Sequence, residues 1–179
     1  MSTTYLSTTE TAGMVRKALK ESFPGVKFSV RSSKYSMGAS ISVSWTDGPN
    51  TAQVNAVVKI FEGSYFDGSQ DYKGSRFAMI DGKRVSFGAD SIHTSRHHSR
   101  ALCERIARRF PDLALQVTGS DDWGWNISGS GTFDEMRPVS QALHRHSDRL
   151  RVERSKTAGK VIYLGNDGYS EIGALCTDI

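Results

Sequence analysis

Apolar positions early in the chain recur with helical spacing and then switch to alternation. Val15, Leu19 and Phe23 stand one turn apart, which predicts a helix with a single inward stripe. Ahead of it, Ser7-Thr8-Thr9-Glu10 reads as a capping box, with the hydroxyl accepting from the Glu10 amide and the carboxylate reaching back to the Ser7 amide. Pro24-Gly25 ends that helix. Val26-Lys27-Phe28-Ser29-Val30 and Ile41-Ser42-Val43-Ser44-Trp45 alternate apolar with polar, the period of half-buried strands, around a polar loop from Arg31 to Gly38. Thr46-Asp47-Gly48-Pro49 reads as a turn with a cap and a first-turn proline for the next helix. The inner face of that helix is Val54, Val57, Val58 and Phe61. The predicted order is helix, strand, strand, helix.

The same pattern returns downstream. Leu102, Ile106 and Phe110 repeat the stripe, and Phe110-Pro111 opens a stretch through Val117 that matches Phe23-Pro24 through Val30 position for position. Trp125-Asn126-Ile127-Ser128 follows a polar turn, and Phe133 to His146 reads as a helix with Met136, Val139 and Leu143 inward. Pro138 fits that helix only in its first turn, because proline removes an interior hydrogen bond. Stripe, Phe-Pro junction and hairpin recurring in one order predict an internal duplication; the competing explanation is coincidence among common helix–strand junctions. Between the copies, Arg76 to Phe87 is a hairpin centred on Asp81-Gly82, and Gly63 to Gly74 reads as a flexible loop. Beyond them, Leu150-Arg151-Val152 and Val161-Ile162-Tyr163-Leu164 read as strands, with a turn at Asn166-Asp167-Gly168. The expected fold is α+β: a two-layer sandwich with a mostly antiparallel sheet, made of two diverged helix–hairpin–helix units plus additional hairpins. Residues 1–92 would hold the first unit and its following hairpin, and 93–179 the second unit and the C-terminal strands, packed as one body.

With 179 residues the chain is long enough for one packed domain or two small halves. Charged residues at 23% and hydrophobic residues at 37% argue against wholesale disorder. No apolar run approaches the ~18 residues that cross a bilayer, so no membrane partner is expected. The first residues lack a basic and then apolar leader, and two cysteines are too few for a disulfide framework, so reducing cytoplasm is the expected compartment. The net charge of +4 suits an acidic partner, and its distribution tells more than its size. The segment from His93 to Arg109 carries Arg96, Arg100, Arg105, Arg108 and Arg109, and the stretch from His144 to Lys160 carries Arg145, Arg149, Arg151, Arg154, Lys156 and Lys160. All five histidines lie in these two stretches. If the fold joins them, they make one basic face.

Chemistry-bearing motifs are sparse. His93 and His97 are four apart with His98 and Cys103 near, but no zinc-site spacing completes a ligand set. Thr94 to Ser99 reads instead as a polar helix entry, and Cys103, beside the inner stripe, as packing. Asp121-Asp122 reads as a turn. No catalytic residue, metal or cofactor is expected, so a binding protein is favoured over an enzyme. The two hairpin tips are more informative. Arg31, Lys34 and Tyr35 combine positive charge with one aromatic, which suits phosphate contact and stacking. Around Asp121 and Asp122, Trp123 and Trp125 combine acidity with two residues of the type enriched at protein interfaces. Whether Trp45 and Trp125 belong to the core or to a surface stays open at this level. The candidate binding residues are therefore Arg31, Lys34, Tyr35, Trp123 and Trp125, joined by Arg96, Arg100, Arg149 and Arg151 of the basic clusters.

The string FPGVKFSVRSSKYSMGASISVSWTDGP at Phe23 to Pro49 and the FGAD at Phe87 to Asp90 carry a family resemblance. Over roughly residues 5 to 92 the chain resembles the large polyvalent-protein-associated domain numbered 29; the second half departs from it. The resemblance implies a protein of phages, plasmids or integrative elements with a role against host defences, and it brings no catalytic residues. Two functions follow as expectations. One is a binding protein of a mobile element that counteracts a host defence protein complex, of anti-CRISPR or anti-restriction type. The alternative is a nucleic-acid-binding accessory factor that holds DNA or RNA on an Arg/His-rich face. The oligomeric state is not readable from the sequence.

Overall fold

A computed structural model describes residues 3–167 except Gln70 and Leu150. Cys176, and the Gly168 of the expected last turn, lie outside the described residues. The chain opens with β1 (Thr4–Leu6) and α1 (Thr8–Ser22), and the Ser7–Glu10 capping box forms with both of its reciprocal hydrogen bonds. Val15, Leu19 and Phe23 are buried as the spacing required. After Pro24-Gly25 the chain forms the β2 (Ser29–Tyr35) and β3 (Gly38–Thr46) hairpin, registered Val30 against Val43. Next comes α2 (Thr51–Val58), which a tighter turn at Lys59–Phe61 extends, keeping Phe61 on the inward face with Val54, Val57 and Val58. Its cap is Asn50, which exchanges hydrogen bonds with Gln53, so Pro49 precedes the helix and does not begin it. Asp47 and Gly48 are both left-handed, and they turn the chain off β3 before any helical bond can form.

The Gly63–Gly74 stretch is not a loop. It carries β4 (Ser64–Asp67) and enters β5 (Tyr72–Ile80), which pairs with it. Its glycines serve close packing: a Cβ at Gly63 would overlap the Phe87 carbonyl, and one at Gly74 would overlap the Tyr65 ring. β5 then folds back on β6 (Lys83–Phe87) over Asp81 and Gly82, both with positive φ as a type I′ turn requires. The next departure from expectation is β7 (Ser91–His97), where a helix entry was expected. Parallel pairing with β3 supplies hydrogen bonds along its whole length, and Ile92 is fully buried, so the i, i+4 histidine spacing has no helical meaning there.

The second unit comprises α3 (Arg100–Ala107), β8 (Leu115–Ser120), β9 (Gly124–Gly129) and α4 (Phe133–Arg145). Its element order repeats that of the first unit, with differences. α3 is shorter than α1 and leaves Phe110 outside the helix and partly exposed. Pro138 stands inside α4, one turn later than expected, with its ring exposed to solvent. No strand forms at Arg151-Val152, while β10 (Ile162–Asn166) does form.

The strands make three sheets, two of which contain a parallel pair. In the largest, β1 pairs parallel with β6, β6 with β5, and β5 with both β4 and β10. The second runs β2-β3-β7, and the third is the β8–β9 hairpin alone. The fold is α+β, in mixed sheets where one mostly antiparallel sheet was expected. Two cores result. The larger lies under α1 and α2 and includes Phe23, Ile41, Trp45, Phe61, Ile92 and Val161. The smaller holds Leu102, Cys103, Ile106, Ile127, Val139 and Leu143. The chain thus leaves the first body after β7, builds the second core, and returns so that β10 completes the large sheet.

Candidate functional site

Three places gather the side chains of interest. The first is the β2–β3 tip. Asp90 anchors it from the side: its Oδ2 accepts from the Ala39 amide at 2.9 Å and pairs with Lys73 Nζ at 2.7 Å. Burial works to raise the Asp90 pKa, but the Lys73 and Ala39 bonds outweigh it and hold the carboxyl below its usual range. Gly38 is required there, since a Cβ would run into that carboxylate. Held this way, the tip presents Tyr35 at 53% and Met37 at 85% exposure, with Arg31 and Lys34 exposed behind them. Lys73 also donates to the Met37 carbonyl at 3.3 Å, which draws the β4–β5 hairpin, with exposed Phe66 and Tyr72, alongside. Phe66, Tyr72 and Lys73 belong to this surface, and sequence reasoning missed them. The aromatics Tyr65, Phe66 and Tyr72 were the available signal, obscured by the glycines around them.

The second place is the β8–β9 tip. Trp125 is a strut: its indole N–H donates to Asp121 Oδ1 at 2.9 Å, and the Arg100 guanidinium lies 5.3 Å above its ring. Arg100 is itself tied to Glu104 at 2.7 Å. Trp123, between Asp121 and Trp125 in sequence, is left 85% exposed. Trp45 settles on the other side of the question. It is 3% exposed and donates to the Pro49 carbonyl at 2.9 Å, so it is core.

The third place is where the two basic segments meet. The Arg96 guanidinium donates to the carbonyls of His146 at 2.8 Å, Asp47 at 3.0 Å and Gly48 at 3.3 Å. Arg105 donates to His146 Nε2 at 3.0 Å, and the His98 and His144 rings lie 5.6 Å apart. His98 is 8% exposed; burial first, and then the charges of Arg96 and His144 against the opposing Asp47, push it down to about 4. His146 is lowered as well, by burial and by Arg105 and Arg96. The segments are brought together, but as a junction between the two bodies. Arg96 is half-buried, with its guanidinium engaged by these three backbone carbonyls. Arg149 is half-buried, 3.6 Å from Asp148, on an open groove of about 690 Å³ that Phe28, Trp45 and His97 also line. Arg151 is exposed.

Among the described residues no group of three or more His, Cys, Asp or Glu is placed to hold a metal ion. Burial, with Asp47 and Glu104 adding to it, pushes the Cys103 thiol up to about 11, which removes it as a nucleophile near neutral pH. No helix among the described residues is long and apolar enough to cross a membrane. Residues 6–99 match the family described as large polyvalent protein associated domain 29. No curated protein and no solved structure matches the chain.

Proposed function

Because the chain belongs to the large polyvalent protein associated domain 29 family, which links it to phages and mobile elements, we propose that it is a non-enzymatic binding protein. In this reading it counteracts a host defence complex, of CRISPR or restriction type, by docking onto one of its proteins in the host cytoplasm. The observation that supports this reading is Trp123. It is a large aromatic left 85% exposed at the end of a short hairpin, beside an indole that is braced by Asp121 and Arg100. An exposed tryptophan is the kind of anchor on which interface energy concentrates. Tyr35 and Met37 at the other tip offer a second apolar contact point.

The test is phage plating on hosts carrying single defence systems, with and without the protein, followed by affinity measurement against purified complexes of the system it relieves. Trp123→Ala should weaken that binding by ~2 kcal/mol or more, about thirtyfold, without altering the fold. A second reading rests on Arg31 and Lys34 flanking exposed Tyr35, a basic and aromatic combination that suits a nucleic-acid strand. Tight binding to random duplex DNA at ~150 mM salt, falling steeply as salt rises and indifferent to Trp123→Ala, would put that reading in place of the first.

A further inference from the structure

The two helix–hairpin–helix segments differ most in what lies beside their second hairpin strand. In the first segment α1 covers β2 and β3, and α2 lies over β7, the parallel strand added to the outer edge of β3. α2 grips β7 directly: Thr94 Oγ1 donates to Asn55 Oδ1 at 2.9 Å, and Lys59 Nζ donates to the Ile92 carbonyl at 2.7 Å. In the second segment α3 covers β8 and β9, and α4 packs on α3 and β9, but among the described residues no strand lies along the outer edge of β9. A groove of about 340 Å³ occupies that place, floored by Ile127 and roofed by Met136, Val139, Ser140 and Leu143. Counted from the caps Asn50 and Thr132, Arg137 and Gln141 stand where Asn55 and Lys59 stand, and both line the groove. Ser140 stands where fully buried Val58 stands, and it is exposed.

We propose that this groove takes an extended segment of a partner protein, added as a strand parallel to β9 beneath α4. β7 is the precedent for the occupant, because the corresponding place in the same chain is filled by a strand and not by a helix. The edge has already begun to pair: the Trp125 amide donates to the His98 carbonyl at 2.9 Å, where β7 runs out. A strand continuing from that point would run along Ile127 and Gly129, displacing the Asn126 Oδ1 that now accepts from the Ile127 amide at 2.8 Å. It would set β-branched apolar residues under α4, as β7 sets Ile92, and Arg137 with His144 on the rim favours an acidic residue at its flank. The proposal rests on the protein-binding reading and adds to it a surface away from Trp123.

The experiment selects a displayed library of random short peptides on the purified chain and maps the winners by amide chemical shifts. The expected winners alternate β-branched apolar residues, carry an acidic flank, and perturb Ile127, Gly129 and α4. Ser140→Val, which restores the α2-like face, should tighten their binding about threefold, and Ser140→Glu should weaken it about tenfold or more with the melting temperature unchanged. Winners with helical spacing, winners mapping to Trp123 or Tyr35, or no enrichment would each overturn the proposal. So would a concentration-dependent dimer that Ser140→Glu abolishes, because the occupant would then be a second copy. No defence complex enters the selection, so this outcome is separate from that of the plating assay. Relief of a defence system that needs Trp123 but is indifferent to Ser140→Glu would sink the groove alone.

Discussion

Arg96→Ala should lower the unfolding free energy by about 3 kcal/mol, read from chemical denaturation at neutral pH. The guanidinium holds three carbonyls from two separated turns of chain: Asp47 and Gly48 at the end of β3, and His146 just past α4. Removing it leaves those acceptors facing a partly buried gap, and an unpaired acceptor costs more than a bond that was never made. Lysine restores the charge but not the fork, so Arg96→Lys should recover about 1 kcal/mol of the loss at most. The burial that lowers the Arg96 pKa is opposed by Asp47 and Asp148, and the group stays charged throughout the accessible range. A loss below about 1 kcal/mol for Arg96→Ala would mean that the flanking contacts, Asn50 Nδ2 to the Arg145 carbonyl and Gln53 Nε2 to the Arg149 carbonyl, hold the junction without it.

Acidification should weaken the protein before its carboxylates titrate. His98 takes up a proton near its ordinary value of 6.5 when unfolded and only at about 4 when folded. The unfolded state therefore binds more protons between those values, and stability falls as pH falls through that window. The full effect is about 2–3 kcal/mol and is complete near pH 4. The groups facing His98 are Arg96, His97 and His144, which lower it, and Asp47, which raises it. His146, lowered in the same direction, adds to the slope. Denaturation midpoints measured across this range should slope for the native chain and lie much flatter for His98→Gln. Equal slopes for the two proteins would show that burial does not hold the imidazole neutral. Below the window other groups take over: Glu21 and Asp90 are held low by their partners, and their contributions are lost as pH falls through their folded values.

What the sequence revealed and concealed divides by the range of the interactions involved. The Ser7–Glu10 box, the α1 stripe and the Asp81-Gly82 turn are specified by near neighbours, and each stands where the pattern put it. The first hairpin forms too, but its opening strand begins at Ser29 and runs to Tyr35, through most of the stretch read as a polar loop, because pairing with β3 satisfies that backbone. The polar run from Thr94 to Ser99 reads as a helix entry, and only pairing with β3, far back in the chain, makes its first residues the end of a strand. The Gly63–Gly74 stretch looked flexible because its glycines answer to distant neighbours, the Phe87 carbonyl and the Asp167 carboxylate. Among the binding candidates, exposure separated residues that sequence could only group by type. Trp123 projects, Trp125 is tied down by Asp121 and Arg100, and Trp45 is core. Arg96, alike in composition to Arg31 and Arg151, is consumed by backbone carbonyls that no local pattern could have assigned to it.

The return of the chain to the large sheet has a consequence for the order of folding. Met79 and Ile162 are direct partners across β5 and β10, yet the whole second body lies between them in sequence. An unfolded loop of that length must be closed before the pairing yields any gain, which makes β10 a slow, late addition. Once α3, the β8–β9 hairpin and α4 have formed, however, Arg96 and His146 are only one hydrogen bond apart, and the distance along free chain to β10 shrinks to the stretch after α4. The second body thus acts as a splint that brings the two ends of the sheet within reach of each other. The speed at which the edge at Ile162 zips is set by residues such as Leu143 and Ile106, which it never touches.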